Sequence, residues 1–257
     1  MTTASAAIPA PSPSAPSARR RAALGLTGKA VDQRITELQR GYLADRPDAV
    51  ATLARLRRGV GQPAAAVPEL WGMTAAESIH QAHADGELSS EQAERAEEAT
   101  HIALSLWSLH QQSHRNQRMH VRYGPELGAA VRRLMPPGEL DEPIRKRFVR
   151  AATATTPTML AQRLREIVVL LRREAVALDY GLLADQLYQW QQRPGGPEQV
   201  RRSWGRSFHI RPKPANTQSN LGPSGDTNPD DLASGADTTG ADGTDDLDTT
   251  TSKDDTL

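Results

Sequence analysis

Two histidines spaced four residues apart are the residues in this sequence whose type and spacing most suggest chemistry. His110 and His114 enclose QQS in the stretch HQQSH. A helix places side chains four apart on one face, where two imidazoles can bind one metal ion. A zinc hydrolase helix of the HExxH type carries its general-base glutamate after the first histidine, and Gln111 stands there instead. Two interpretations stay open: a metal site, or a structural pair in which His110 is packed inside and His114 is partly solvated.

Other signatures of catalysis are absent from the sequence. No cysteine is present, so disulfides and thiolate chemistry are excluded. No G-x-S-x-G elbow, P-loop or G-x-G-x-x-G turn occurs. His80 and His83, three apart on a polar helix, are the other candidate ligands. The carboxylates near residue 95 are typical of a solvated helix face: Glu91, Glu94, Glu97 and Glu98. We therefore predict a protein that is not an enzyme, with no catalytic residue, metal or other cofactor.

Basic residues are organised more clearly than any catalytic pattern. Residues 1–213 carry 30 basic and 21 acidic side chains, and residues 101–213 carry 19 and 9, whereas residues 214–257 carry ten aspartates and one lysine. A basic body indicates a polyanionic partner, most often nucleic acid. No zinc finger, RRM or basic zipper motif is present, which favours contact with the backbone over base readout. The acidic tail either competes with nucleic acid or only keeps the protein soluble.

The elements that must position these residues are helices. Apolar residues recur every three or four positions throughout the foldable chain, and no alternating strand pattern occurs, so we predict an all-α fold. Thr74 to Glu77 reads as a capping box, and Thr156 before Pro157 and Asp179 are further predicted helix starts. The longest helix begins at Ser89 or Ser90, runs toward His114, and is apolar nearly all round, as a central helix of a bundle should be.

Both ends of the chain have compositions that cannot bury enough apolar surface to fold. We predict disorder for residues 1–28, which are rich in Ala, Pro and Ser, and for the acidic tail 212–257. The break at Tyr123-Gly124-Pro125 predicts two small helical lobes, 29–122 and 123–211. No apolar run is long enough to span a membrane and the N-terminus lacks an export signal, so we expect a cytoplasmic protein.

The order of several motifs resembles the CasB family, the small subunit of the type I-E CRISPR surveillance complex Cascade. The matching stretches include LRRGVGQPAAAVPELWGM, SLWSLHQQSHRNQRMH and FVRAATATTPTMLAQRLREIVVLLRR, within about residues 30–211. The resemblance implies an all-helical, non-catalytic subunit of antiviral defence, present as two copies head to tail. Its partners would be the backbone subunits with the guide RNA, the large subunit, and target DNA. It would stabilise guide–target pairing and the displaced strand of the R-loop.

The resemblance also selects the arginines expected to bind nucleic acid. Among them Arg165 and Arg172 lie seven residues apart, which places them on one helical stripe. A stand-alone helical DNA-binding regulator and a metal-dependent hydrolase using His110 and His114 are the alternative functions. The predicted nucleic-acid-binding residues, all basic positions within matching motifs, are Arg57, Arg58, Arg115, Arg118, Arg132, Arg133, Arg147, Arg165, Arg172, Arg201, Arg202 and Arg206.

Overall fold

The structure is a computed structural model of the 257-residue chain and describes residues 23–209. The predicted disordered segment 212–257, and the predicted N-terminal one except for residues 23–28, lie outside these described residues. The folded chain starts earlier than the predicted boundary, because helix α1 begins at Leu26. The carboxylate of Asp185 explains this start, since it accepts the N–H groups of Gly25 (2.8 Å) and Gly28 (2.7 Å). A Cβ on Gly28 would lie 2.4 Å from Asp185 Oδ2, so only glycine fits there.

The all-α prediction is confirmed. Within residues 23–209 the only bridge between extended segments joins His120 to Leu178. Three short 3₁₀ turns lie between α2 and α3. No helix of the described chain is long and apolar enough to cross a membrane. The helices are α1 Leu26–Leu43, α2 Pro47–Leu56, α3 Glu77–Ala84, α4 Ser90–Gln111, α5 Leu127–Arg133, α6 Glu142–Ala152, α7 Pro157–Arg173, α8 Tyr180–Trp190 and α9 Gly196–His209.

Helices begin where the sequence predicts when the capping side chain immediately precedes the helix. Ser89 forms a full capping box with Gln92 at the start of α4, and the side chains of Thr156 and Asp179 cap α7 and α8. The capping box predicted at Thr74 is wrong. α3 begins only at Glu77 and has no side-chain cap. Ala75 would be the first helical residue of such a box, and its left-handed φ of 55° is incompatible with a right-handed helix.

Helix α4 is the centre of the bundle, as predicted. It contacts α1, α2, α3, α7 and α8, and nearly every residue from Ala99 to Gln111 is buried. Trp107 has no exposed surface. The main hydrophobic core continues through both predicted lobes, from Val31 of α1 to Trp204 of α9. The division into lobes 29–122 and 123–211 stays a prediction.

One buried carboxylate connects the segment after α4 to the start of α8. Asp179 is 1% exposed. Its Oδ1 accepts the N–H of Leu182 (3.0 Å), and its Oδ2 accepts the N–H of Tyr123 (2.9 Å) and a guanidinium N–H of Arg122 (2.8 Å). Tyr123 holds a left-handed φ of 61°. A buried charge that satisfies three donors therefore stabilises a strained turn and a helix start together.

We predict that Asp179→Ala lowers the free energy of unfolding by about 3 kcal/mol. Three donors lose their acceptor and Arg122 loses its counter-charge. Urea denaturation followed by circular dichroism measures the loss. Asp141→Ala is the matched control, because Asp141 caps α6 through the single N–H of Ile144 (2.9 Å) and should cost only about 1 kcal/mol. Equal losses in the two variants would contradict the wider role of Asp179.

Candidate nucleic-acid interface

The chain leaves helix α4 directly after Gln111, so His110 and His114 do not share a helical face. The next residue is not helical, with φ −53° and ψ 128°. The buried Gln111 amide holds the turn. Its Nε2 donates to the carbonyl oxygens of His114 (2.7 Å) and Gln117 (2.8 Å), and its Oε1 accepts the N–H of Met119 (3.0 Å). The expectation that the helix runs on toward His114 is wrong, because this side chain stabilises the turn instead.

The two imidazoles have different partners. His110 Nδ1 lies 3.0 Å from the hydroxyl of Tyr180, and His114 Nε2 lies 2.9 Å from the carbonyl oxygen of Arg172, to which it donates. His110 is fully buried and His114 is half-buried. Between residues 23 and 209, no three His, Cys, Asp or Glu side chains are grouped to hold a metal ion. The arrangement agrees with the structural interpretation of this pair.

The other candidate ligands also have local partners. His80 Nδ1 lies 3.3 Å from the carboxylate of Glu97, and His83 Nδ1 lies 2.9 Å from the carbonyl oxygen of Leu88. Both histidines are exposed on α3. A helix-surface histidine with one neighbour of this kind supplies neither the convergence nor the number of ligands that zinc requires.

Burial determines the protonation state of His110. Desolvation lowers its pKa from the ordinary 6.5 to about 3; the Leu171 carbonyl opposes this shift, and the nearby His114 and Arg172 add to it. His110 is therefore neutral at pH 7. Because its Nδ1 meets a hydroxyl that can donate or accept, the neutral ring is accommodated without an ion pair.

The predicted arginines occupy two kinds of environment. Six are exposed and form no ion pair with a described carboxylate, which leaves their guanidinium groups open to phosphate. The other six are half-buried or already bonded to a protein acceptor. The exposed, unpaired set is Arg58, Arg118, Arg133, Arg165, Arg202 and Arg206; the second set is Arg57, Arg115, Arg132, Arg147, Arg172 and Arg201.

Arg115, Arg57 and Arg172 form what we call the Tyr42 cluster: Arg115 contacts the ring of Tyr42 in α1, and Arg57 interacts electrostatically with Tyr42 and with Arg172. Arg115 stacks over the Tyr42 ring, 4.5 Å from its centroid, and pairs with Asp45. Burial lowers the pKa of Arg57; interaction with Tyr42 raises it, and the nearby charge of Arg172 lowers it. The like charges of Arg57 and Arg172 repel each other, so an incoming anion would relieve that repulsion.

Arg147 of α6 and Arg165 of α7 line a groove of about 620 Å³, which we call the α6/α7 groove. Its floor includes the half-exposed Val169 of α7. Arg147 also donates a long bond of 3.4 Å to the carbonyl oxygen of Pro143 on its own helix. Arg165 and Arg172 lie on α7 at seven-residue spacing, about 10 Å apart along one face, so the same helix face leads from this groove to the Tyr42 cluster.

Arg132 and Arg133 line a larger groove of about 1080 Å³, the α5/α9 groove. Helix α9 contributes His209 to its wall. Its apolar lining includes Phe148 and Phe208, whose rings stack with centroids 5.3 Å apart. This groove therefore combines apolar side chains with the guanidinium groups of Arg132 and Arg133.

The remaining predicted arginines are less clearly assembled. Arg202 lies seven residues before His209 on α9, hence on the same side of that helix. Arg201 is paired with Glu198 at 2.6 Å. Arg58 and Arg118 are exposed and line neither groove. The structure therefore brings seven of the twelve together, in one cluster and two grooves.

Sequence reasoning missed the residues that organise these arginines. The Tyr42 ring stacks against Arg115, and the Gln112 side chain accepts an N–H of Arg172 (3.0 Å). Tyr42 reads in sequence as the last apolar residue of an amphipathic helix, and Gln112 as part of a histidine motif. Neither gives a local signal, because each acquires its partner only through contacts across the fold.

The fold is all-helical, and four of the predicted arginines line two grooves on its surface. The chain belongs to the family of the CRISPR-associated protein Cse2, whose family model matches residues 52–209. Helix α1 precedes the matched residues.

Solved structures extend the comparison. CasB from Thermobifida fusca is 54% identical; the match covers 73% of this chain and 100% of that one, with a TM-score of 0.66. CasB from Thermus thermophilus is 22% identical over 69% of this chain and 96% of that one, with a TM-score of 0.48. A chain in a CRISPR RNA-guided surveillance complex is 22% identical over 71% and 95%, also with a TM-score of 0.48. No curated protein matches significantly. The predicted CasB resemblance is confirmed.

We predict that His110→Asn flattens the acid side of the stability profile. In the unfolded chain His110 gains a proton as the pH falls below about 6.5, whereas in the folded protein it does so only near pH 3, so acid favours unfolding across that interval. As the pH falls, the free energy of unfolding of the wild type should therefore decrease more steeply than that of His110→Asn, by up to about 1.4 kcal/mol per pH unit. Urea titrations between pH 7 and pH 5 measure the slope. His209→Asn, at an exposed position, should keep the wild-type slope. A profile of His110→Asn parallel to wild type would contradict the assignment.

Proposed function

We propose that this protein is a non-catalytic small subunit of a type I-E CRISPR Cascade surveillance complex. In this role it binds the nucleic-acid backbone and stabilises both guide RNA–target DNA pairing and the displaced strand of the R-loop. The observation that carries the proposal is membership of the Cse2 family together with 54% identity to Thermobifida fusca CasB across that whole chain. At this identity the fold and the main surfaces are expected to serve the same role.

The arrangement of arginines supports contact with the backbone. Guanidinium groups stay charged and can bind phosphate oxygens through two hydrogen bonds. In the α6/α7 groove Arg165 is exposed and unpaired with any described carboxylate, so it can form such bonds without losing a protein partner. Because base pairing with the guide supplies sequence recognition, this subunit has no need to read bases.

The environment of HQQSH supports a role without catalysis. Both amide atoms of Gln111 are engaged in the turn after α4, His110 is neutral and buried, and His114 donates to a backbone carbonyl. A general base must reach a substrate proton, and these groups face the protein interior or its backbone. We therefore assign this segment the task of fixing the turn that contains Arg115 and Arg118.

The proposed partners are the other Cascade subunits, guide RNA and target DNA. Two copies of the chain would lie head to tail beside the backbone and large subunits, as the family resemblance implies. Expression of the tagged full-length chain in its native host tests this assignment. Guide RNA and other Cascade subunits should co-purify with it. Purification without RNA, combined with sequence-specific binding to duplex DNA by the isolated chain, would contradict the proposal and favour a stand-alone regulator.

We predict that Arg147→Ala combined with Arg165→Ala weakens binding of single-stranded DNA and reduces its salt dependence. Loss of two phosphate contacts should lower the magnitude of the slope of log K against log salt by about 1.4, since each contact contributes about 0.7. Fluorescence anisotropy at several salt concentrations measures this slope. Circular dichroism should show unchanged helicity, because Arg165 is exposed and the half-buried Arg147 forms, among the described residues, only one long bond, to a carbonyl of its own helix.

The matched control is Arg40→Ala combined with Arg55→Ala. These arginines are exposed on α1 and α2, line neither arginine groove, and contribute the same two charges. If phosphates contact the α6/α7 groove itself, the control variant should keep nearly the full salt slope. If both double variants reduce it equally, net charge alone drives binding and the α6/α7 groove is not an interface.

A further inference from the structure

Trp71 is the most exposed of the large hydrophobic side chains in residues 23–209, with 71% of its surface accessible. It follows a 3₁₀ turn, Pro68–Leu70, and lines a groove of about 690 Å³ that we call the Trp71 groove. An exposed indole leaves a large apolar area in water, and tryptophan is among the residues most enriched at the energetic centres of protein interfaces. This groove is separate from the arginine-lined surfaces, and no arginine or lysine lines it.

The opposite wall of the Trp71 groove is acidic. Glu94, Glu97 and Glu98 of α4 line it, at spacings that place them on one helix face. Residues 61–100 contain eight acidic side chains and a single basic one, Arg95. Arg95 is paired with Glu91, which leaves the carboxylates facing the groove without a described arginine or lysine partner. Glu94 is exposed, and Glu97 has only His80 nearby.

The groove is held in shape before any ligand binds. Glu98 accepts the N–H of Ala64 (2.9 Å), which ties the loop wall to α4. The buried His101 lies with Nε2 3.2 Å from the carbonyl oxygen of Gly59 and 3.0 Å from that of Gln62, so it fixes the preceding part of the same loop. Preorganisation of this kind reduces the entropy lost when a partner docks.

We propose that the Trp71 groove docks an arginine-bearing segment of a neighbouring protein subunit. The guanidinium group would lie over the indole of Trp71 while its N–H groups meet Glu94 and Glu97. A tryptophan face attracts a cation, and carboxylates accept its hydrogen bonds. Nucleic acid does not fit this surface, since carboxylates repel phosphates. The proposal rests on the proposed function, because the partner is another subunit of the same complex.

Incorporation of variant chains into the co-expressed guide-RNA complex tests whether the Trp71 groove docks a neighbouring subunit. Trp71→Ala and Glu94→Gln should each weaken the apparent affinity of the chain for the guide-RNA complex by at least about tenfold, as loss of an interface centre does. Tyr123→Ala is the matched control, since Tyr123 is another aromatic residue with 63% exposure and lies outside the groove. It should keep wild-type incorporation. Binding of single-stranded DNA by all three isolated variants should be unchanged.

A photo-reactive benzophenone amino acid introduced in place of Trp71 identifies the occupant by cross-linking and mass spectrometry. The proposal expects a cross-link to a segment of another subunit that contains arginine. Cross-links to nucleic acid, to a second copy of this chain, or to an acidic segment would overturn it, as would equal losses in the Trp71 and Tyr123 variants.

Wild-type incorporation of both groove variants refutes only the proposal that the Trp71 groove docks a subunit. An unmodified chain that enters no guide-RNA complex refutes the proposed function, and the groove proposal with it.

Discussion

The hydrogen bonds of the Gln111 amide are the constraint on which the path of the chain after α4 depends. By ending α4 and holding residues 114–119 in a turn, this one side chain keeps His110 inside the bundle and directs His114 to the carbonyl of Arg172. Arg172 then reaches Gln112 at the surface. Arg115 of the Tyr42 cluster lies in the same turn, and the neutral state of His110 follows from its burial in the helix that precedes it.

Charge is separated along the fold in the same way as along the sequence. The acidic residues of 61–100 lie on α3, on the first half of α4 and on the segments before and between these helices, whereas α5, α6, α7 and α9 carry 13 of the 25 basic residues between 23 and 209. A protein that must hold a polyanion and also contact other proteins gains from this separation. Like charges on one surface repel the wrong class of ligand, and specificity between partners arises from that repulsion as much as from attraction.

The sequence predicts local features well and features that depend on distant contacts poorly. The helices, the caps at Ser89, Thr156 and Asp179, and the central position of α4 follow from spacing within one segment. The start of α1 depends on Asp185, far along the chain, and the end of α4 depends on backbone groups up to eight residues beyond Gln111. The arginines were visible as charges, but their grouping required the tertiary fold: the α5/α9 groove joins Arg132 to residues more than 70 positions away.

The exposed ion pairs of Arg115 with Asp45 and of Arg201 with Glu198 would alter how phosphate binding at these two arginines depends on salt concentration. A phosphate that displaces such a carboxylate releases a cation from the nucleic acid, but the freed carboxylate attracts a cation in turn. The exchange is therefore close to electroneutral and responds little to ionic strength. Arginines with no described carboxylate partner, such as Arg165, would instead contribute the full release of counterions. The chain thus contains two populations of arginine, and under the proposed function only those without a described carboxylate partner would contribute to the salt dependence of binding.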